Sequence, residues 1–144
     1  MILIDTNVIS ELWKLAPTPS VLAWIDAQTV ETLCLSAITV AELRYGLAIM
    51  PAGKRRSIYQ DRLERDVLQA FKGRVLPFDL DASKAYSELM ARAKTEGKAI
   101  CKADGYIAAT AYAHALTVAT RDVAPFLAAG LTVINPWGHL ATHN

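Results

Sequence analysis

Four carboxylates stand where a folded chain seldom puts isolated charge. Asp5 directly follows the apolar run Ile2-Leu3-Ile4 and opens Asp5-Thr6-Asn7-Val8. Glu42 lies four residues after Ile38 and three before Tyr45, on an apolar helical stripe of Ile38, Ala41, Tyr45, Ala48 and Ile49. Charged groups rarely occupy such a stripe unless they are paired or bound to a metal. Asp104 shares a helix face with Ile107, Ala108, Ala111 and Ala115, so its carboxylate is expected to point at a sheet rather than at water. Asp122 closes Thr120-Arg121-Asp122 after an apolar run. Each acid has an ordinary reading of its own: a turn or helix cap for Asp5 and Asp122, an ion pair with Arg44 or Arg121 for Glu42, a helix-dipole partner for Asp104. Together they share one feature, since each is read at, or within two turns after, the carboxyl end of a predicted strand. Parallel strands bring those ends to a single edge. Four carboxylates meeting there would repel one another, and a divalent cation removes the conflict. An all-oxygen site suits Mg²⁺, with Mn²⁺ as the alternative ion. Mg²⁺ keeps waters and takes substrate phosphates, which points to phosphodiester chemistry.

The elements that must position these acids alternate. Short apolar or β-branched runs at 2–4, 32–35, 75–78, 117–120 and 131–134 read as strands. Between them, helical periods occupy 7–14, 18–28, 36–50, 54–71, 81–96, 102–115 and 125–129. Thr18-Pro19 is a helix start, Ser36 a cap, and Gly97 and Gly130 are helix stops. Pro77 marks its strand as an edge or a bulge. Strands separated by helices imply an α/β fold, with a central, mainly parallel five-stranded sheet flanked by helices as a three-layer sandwich. Ligands of such folds bind beyond the carboxyl ends of the strands. The 144 residues make one domain, with about 138–144 as a loose tail and Trp137 as the residue there able to dock.

Composition narrows the rest. A hydrophobic share of 53% supports a packed core and argues against disorder. Net charge is only +1, but it is uneven: residues 1–50 carry −3 and residues 52–74 carry +4. The basic stretch is either a solvated helix face or a guide for phosphates. Cys34 and Cys101 lack metal-ligand spacing and are read as free thiols of a reduced, cytoplasmic protein. No signal peptide and no membrane span is read. His114 stands near a helix end, and His139 and His143 lie in the tail, so a histidine-pair nuclease is disfavoured.

The ordered motifs resemble the PIN-domain ribonucleases, and within them the VapC and FitB-like toxins. Ile4-Asp5-Thr6-Asn7-Val8-Ile9-Ser10 resembles the family's opening. Leu35 to Gly46, with Ala41-Glu42-Leu43-Arg44-Tyr45-Gly46, resembles its second block. Asp104-Gly105-Tyr106-Ile107-Ala108-Ala109 resembles its third, and Thr120-Arg121-Asp122 followed by Asn135-Pro136-Trp137 its ending. The resemblance implies a PIN-like fold and a Mg²⁺-dependent endoribonuclease acting as the toxin of a toxin–antitoxin pair. It maps the acidic site to Asp5, Glu42, Asp104 and Asp122, with Asp5 and Asp104 holding the metal and Thr6 and Thr120 as supporting polar groups. Many FitB-like relatives carry asparagine at the place of Asp122 and an aspartate three residues on, where this chain has Pro125, so the role of Asp122 is carried over least far. A homodimer is implied, as is a cognate VapB- or FitA-like antitoxin whose tail, often with an arginine, plugs the pocket. DNA would be contacted only through that antitoxin. The rival readings are an inactive PIN-like module that docks a basic peptide, and a metal-dependent DNase. Receiver-type and haloacid-dehalogenase-type phosphotransfer folds lose weight because Asn7 stands where the latter needs a second aspartate.

Overall fold

The computed structural model describes residues 1–138. In chain order the elements are β1 (Ile2–Ile4), α1 (Thr6–Leu12), α2 (Pro19–Asp26), a 3-10 turn (Val30–Thr32), β2 (Leu33–Ser36), α3 (Ala37–Ala48) and α4 (Lys54–Asp61). A π-helical turn (Arg62–Val67) leads into α5 (Leu68–Ala70), then β3 (Val75–Leu76), α6 (Leu80–Thr95), α7 (Lys102–Ala113), β4 (Thr117–Ala119), α8 (Val123–Ala128) and β5 (Val133–Ile134). The five strands form one sheet in the order β3-β2-β1-β4-β5. Every neighbouring pair is parallel, so the expected mainly parallel sheet is wholly so. β3 stops at Leu76 on the sheet's edge, directly before Pro77, which has no N–H to extend the ladder. Strand order runs outward from β1 in one direction through β2 and β3, and in the other through β4 and β5. The reversal leaves a crevice between the carboxyl ends of β1 and β4.

The strands read as continuous apolar runs because both faces are covered. Leu3 and Ile4 are adjacent and point to opposite sides, and neither is exposed. Leu3 packs with Ile107, Val118, Phe126 and Val133 under α6, α7 and α8. Ile4 packs with Val8, Ile9, Val21, Leu35, Leu43 and Leu63 under α1 to α4. Among the described residues no helix is long and apolar enough to cross a membrane.

Two expectations about the helices are corrected. The buried side of α3 is Thr39, Val40, Leu43 and Leu47, whereas Tyr45 and Ile49 are 67% and 65% exposed. Residues 40, 43 and 47 already supply a full helical stripe to the core, so the expected stripe splits: Ile38 packs partly against the core, while Tyr45 and Ile49 turn outward. Glu42 is therefore exposed, one position from the packed face. Arg44 does not pair with it, because its guanidinium holds the Glu64 carboxylate at 2.8 Å. Asp104 follows helix α6 rather than a strand. It reaches the carboxyl edge because α7 precedes β4 and a short link over 114–116 reverses the chain into that strand, leaving the start of α7 at the strand's far end. α7 ends at Ala113, and Ala115 is exposed with φ 53°. Asp104 itself is half-buried rather than turned into the sheet.

The glycine after Asp104 serves packing. A Cβ at Gly105 would lie 2.8 Å from Met90 Sδ and 3.0 Å from a Tyr86 ring carbon, both on α6. The close approach of α6 and α7 sets where the first turn of α7 stands. Gly105→Val is expected to lower stability by about 1–3 kcal/mol through overpacking, read by thermal denaturation. An unchanged melting temperature would show that α6 and α7 can part without cost.

Candidate active site

Asp5 sits at the end of β1, where its N–H donates to the Ala119 carbonyl at 2.9 Å and prolongs the β1–β4 ladder. Its backbone is extended, φ −76° and ψ 160°, as a helix cap requires, and Oδ1 accepts from the Thr6 N–H at 2.8 Å. Oδ2 accepts from the Thr120 hydroxyl at 2.8 Å and from Asn7 Nδ2 at 3.4 Å. Thr120 is fully buried and Asp5 is 4% exposed. The Thr120 oxygen in turn accepts from Asn7 Nδ2 at 3.2 Å and from the Asp122 N–H at 3.1 Å, while Asn7 Oδ1 accepts from the Arg121 N–H at 3.2 Å. A single network thus ties the ends of β1 and β4 across the topological crevice.

Glu42 arrives from α3, whose start is set by Ser36 accepting from the Ile38 N–H at 3.0 Å. Its Oε1 takes the Thr6 hydroxyl proton at 2.6 Å, and the Thr6 and Thr39 hydroxyls lie 3.2 Å apart. Asp104 stands in the first turn of α7, with Oδ2 accepting from the Cys101 thiol at 3.2 Å. A cavity of about 390 Å³ gathers Asp5, Glu42 and Asp104 with Thr6, Asn7, Ser10, Glu11, Lys14, Arg121 and Trp137. Asp122 is not in that lining. It is exposed at the cap position of α8, makes no side-chain cap bond, and touches the network only through its backbone. His114 is exposed at the end of α7, and His139 and His143 lie outside the described residues.

The PIN domain family model matches residues 2–129. Over 137 residues, 95% of this chain, it is 73% identical to the VapC ribonuclease Y4jK of Sinorhizobium fredii, of which 98% is covered. It is 57% identical to the plasmid stability protein StbB of Pseudomonas syringae pv. tomato, with 95% and 99% covered. It is 53% identical to the toxin FitB of Neisseria gonorrhoeae, also with 95% and 99% covered. The crystal structure of FitAcB from Neisseria gonorrhoeae superposes with a TM-score of 0.94 over 97% of this chain and all of that one. The chain belongs to the PIN-domain family. Its relatives place it with the VapC- and FitB-like toxins.

The electrostatics of this PIN domain favour a cation in the cavity. Burial pushes the Asp5 carboxyl up to about 6 from its ordinary 3.8, and the Asp104 and Glu42 charges push the same way. Hydrogen bonds from Thr120 and Thr6 oppose the rise without cancelling it. Among the described residues no three His, Cys, Asp or Glu are drawn together as a finished ligand set. Two or three carboxylates facing an open cavity of oxygen donors, with room for water, are nonetheless what Mg²⁺ takes. The residues fit that ion.

Sequence reasoning missed two braces of the cavity wall, Asn7 and Glu11, and expected Trp137 to dock without naming what it docks on. Asn7 is a brace, and its only signal was its place in the opening motif. Arg121 lies over the Trp137 ring, 5.3 Å from its centroid, and so docks Trp137 at the cavity wall. Glu11 is 3% exposed, accepts from the Thr18 N–H and hydroxyl at 2.9 and 2.8 Å, and pairs with Lys14 at 2.8 Å. Lys14, with the Thr18 N–H and hydroxyl, draws the Glu11 carboxyl down to about 2. Already neutralised, Glu11 clamps the turn between α1 and α2.

Two outcomes are expected. Glu11 is more acidic folded than unfolded, so its contribution is present above the ordinary value of 4.5 and is lost as pH falls toward 2. Glu11→Gln should therefore melt below the wild type near neutral pH, with the gap closing below pH about 4.5; a gap independent of pH would contradict the clamp. Second, Mg²⁺ should raise the melting temperature of the wild type at neutral pH and leave that of Asp5→Asn unmoved.

Proposed function

We propose that this PIN domain is a Mg²⁺-dependent endoribonuclease, the toxin of a toxin–antitoxin pair. The observation that carries the reading is Asp5: a carboxylate 4% exposed, at the topological crevice, resisting its own charge and facing Glu42 and Asp104 across one cavity. That arrangement is costly in an empty pocket and useful in one that takes a cation with a phosphate. The relatives, a VapC ribonuclease and the toxin FitB, support the same reading.

Asp5 and Asp104 would hold the ion, which supplies positive charge for the phosphate and acidifies water. Thr120 and Asn7 fix the Asp5 carboxylate from behind and leave its outer side to the cavity. Glu42, oriented by the Thr6 hydroxyl, is placed to take the proton of the attacking water. Asp122 stands beside the site and acts on it chiefly through Thr120, as a positioning residue. The water oxygen would bond to phosphorus as the opposite P–O bond breaks, its proton passing to Glu42 and the departing oxygen taking one from solvent, so that one end carries the phosphate and the other a hydroxyl.

The solved complexes of FitA with FitB, one of them bound to a DNA fragment, support a FitA-like antitoxin as partner, with DNA met through that partner. A cationic side chain of such a partner would compete with the metal for the same carboxylates. A homodimer, acting on RNA in the cytoplasm, completes the reading.

Matched RNA and DNA oligonucleotides test it. The purified chain should cleave RNA with Mg²⁺, lose activity on chelation, and leave DNA intact. Asp5→Asn and Asp104→Asn should each cost roughly a hundredfold or more, the scale of losing one preorganised electrostatic group. Asp122→Asn should cost far less. Full activity in Asp5→Asn would end the metal-site reading, and equal cleavage of DNA would end the ribonuclease assignment.

A further inference from the structure

α4 and the first residue of the π-helical turn that continues it place Arg55, Tyr59 and Arg62 in one row, four and three residues apart. The two guanidinium groups stand 5.5 and 5.7 Å from the Tyr59 ring centroid. Tyr59 stacks on Trp13 with centroids 5.9 Å apart and planes 9° from parallel, and its hydroxyl donates to the Trp13 carbonyl at 3.1 Å. These contacts pin α4 against the end of α1. A cavity of about 650 Å³ opens over the row; its wall includes Lys14, Lys54, Arg55 and Arg62 and contains no Asp or Glu. Among the described residues Lys54, Arg55 and Arg62 form no salt bridge.

This basic cavity is joined to the acidic one. An intervening cavity of about 290 Å³ shares Trp13, Lys14, Arg55 and Tyr59 with the basic end, and Thr6, Ser10, Lys14 and Glu42 with the acidic end. Three neighbouring cations are already committed, and Arg65 and Lys72 lie outside the cleft lining. Arg44 holds Glu64, Arg56 donates to the Met50 carbonyl, and Arg74 donates to the carbonyls of Leu33 and Ala70.

We propose that this cleft is the path of a single RNA strand, with phosphates flanking the cut on Lys54, Arg55 and Arg62 and the reacting phosphate at Asp5, Glu42 and Asp104. The proposal rests on the ribonuclease reading above. Cations without acidic partners suit a regularly charged polyanion. The aromatic pair beside them suits a strand whose bases are splayed and able to stack, which a duplex does not offer. A peptide fits less well. An acidic one would run into three carboxylates at one end, and a basic one into four cations at the other.

The test compares two triple variants of equal charge: Lys54→Gln/Arg55→Gln/Arg62→Gln in the cleft, and Arg65→Gln/Lys72→Gln/Lys84→Gln outside its lining. Binding of a labelled single-stranded RNA is followed by fluorescence anisotropy across a salt series, in an Asp5→Asn background that stops cleavage. Folding is checked by circular dichroism. The cleft variant should bind about tenfold or more weakly, with a salt slope shallower by about 2, since each lost phosphate contact on a single strand removes roughly 0.7. The outside variant should keep the parental affinity and slope. With Asp5 restored, the cleft variant should raise KM and keep kcat. Equal effects from the two triples, or none from the cleft triple, would overturn the path and leave the cleft to another occupant such as a protein partner. RNA binding that depends on the cleft, in a protein that cleaves no RNA, would instead sustain the path and remove the nuclease reading.

Discussion

The site depends on keeping one carboxylate charged although it is 4% exposed. Asp5 cannot move from its place: its N–H belongs to the β1–β4 ladder, its Oδ1 caps α1, and its Oδ2 is held by Thr120 and Asn7. Such bonds are strong because one partner is ionised. They still do not outweigh burial and the two neighbouring acids, so the carboxyl rests near 6. The fold therefore builds a local deficit of positive charge into its most rigid corner. A group that brings positive charge there, whether an ion or a cationic side chain of a partner, meets a site already shaped for it.

The same cleft carries the opposite imbalance further along. Lys14 lines all three joined cavities and marks the crossover. On its acidic side its charge is spent on Glu11, and on its basic side the α4 cations meet aromatic rings instead of carboxylates. Separating charge of opposite sign along a groove costs self-repulsion at each end. It gains direction, because a charged chain can lie in the groove in register only with its ends matched.

Much of this was legible in the residues. Continuous apolar strands separated by helices fix a parallel sheet, and a parallel sheet fixes which edge holds the chemistry. Asp5 was legible for that reason, as the first polar residue after β1. Glu42 was picked out for a wrong reason. Tyr45 and Ile49 look apolar enough to be core but are exposed, so the stripe that marked Glu42 as anomalous is a surface stripe. Asp104 was likewise placed after a strand, although it reaches the edge at the start of a returning helix. The Glu11 clamp was hidden because its partners, Lys14 and Thr18, lie in the turn beyond α1, and a contact made across a turn leaves no periodicity signal. Asn7 and the Arg121–Trp137 contact depend on where loops land in space. Asp122 was legible as the residue that starts the helix around Pro125, and it takes the cap position of α8.

Stability and occupancy are coupled by the same carboxylate. A rise from 3.8 to about 6 makes the ionised form less favourable in the folded state by about 3 kcal/mol at neutral pH. Domains of this size have only about 5–15 kcal/mol in total. The packing of the two apolar layers offsets that cost, with Leu3, Ile4, Val118 and Ala119 fully buried in β1 and β4. The unfolded chain has no such pocket, so a cation that binds the folded site stabilises it by mass action. The charge deficit that makes the pocket reactive thus makes it the point at which ligand binding and folding act on each other. Thr120 is central to both, because its one hydroxyl proton goes to Asp5 while its oxygen receives the backbone that leads to Asp122.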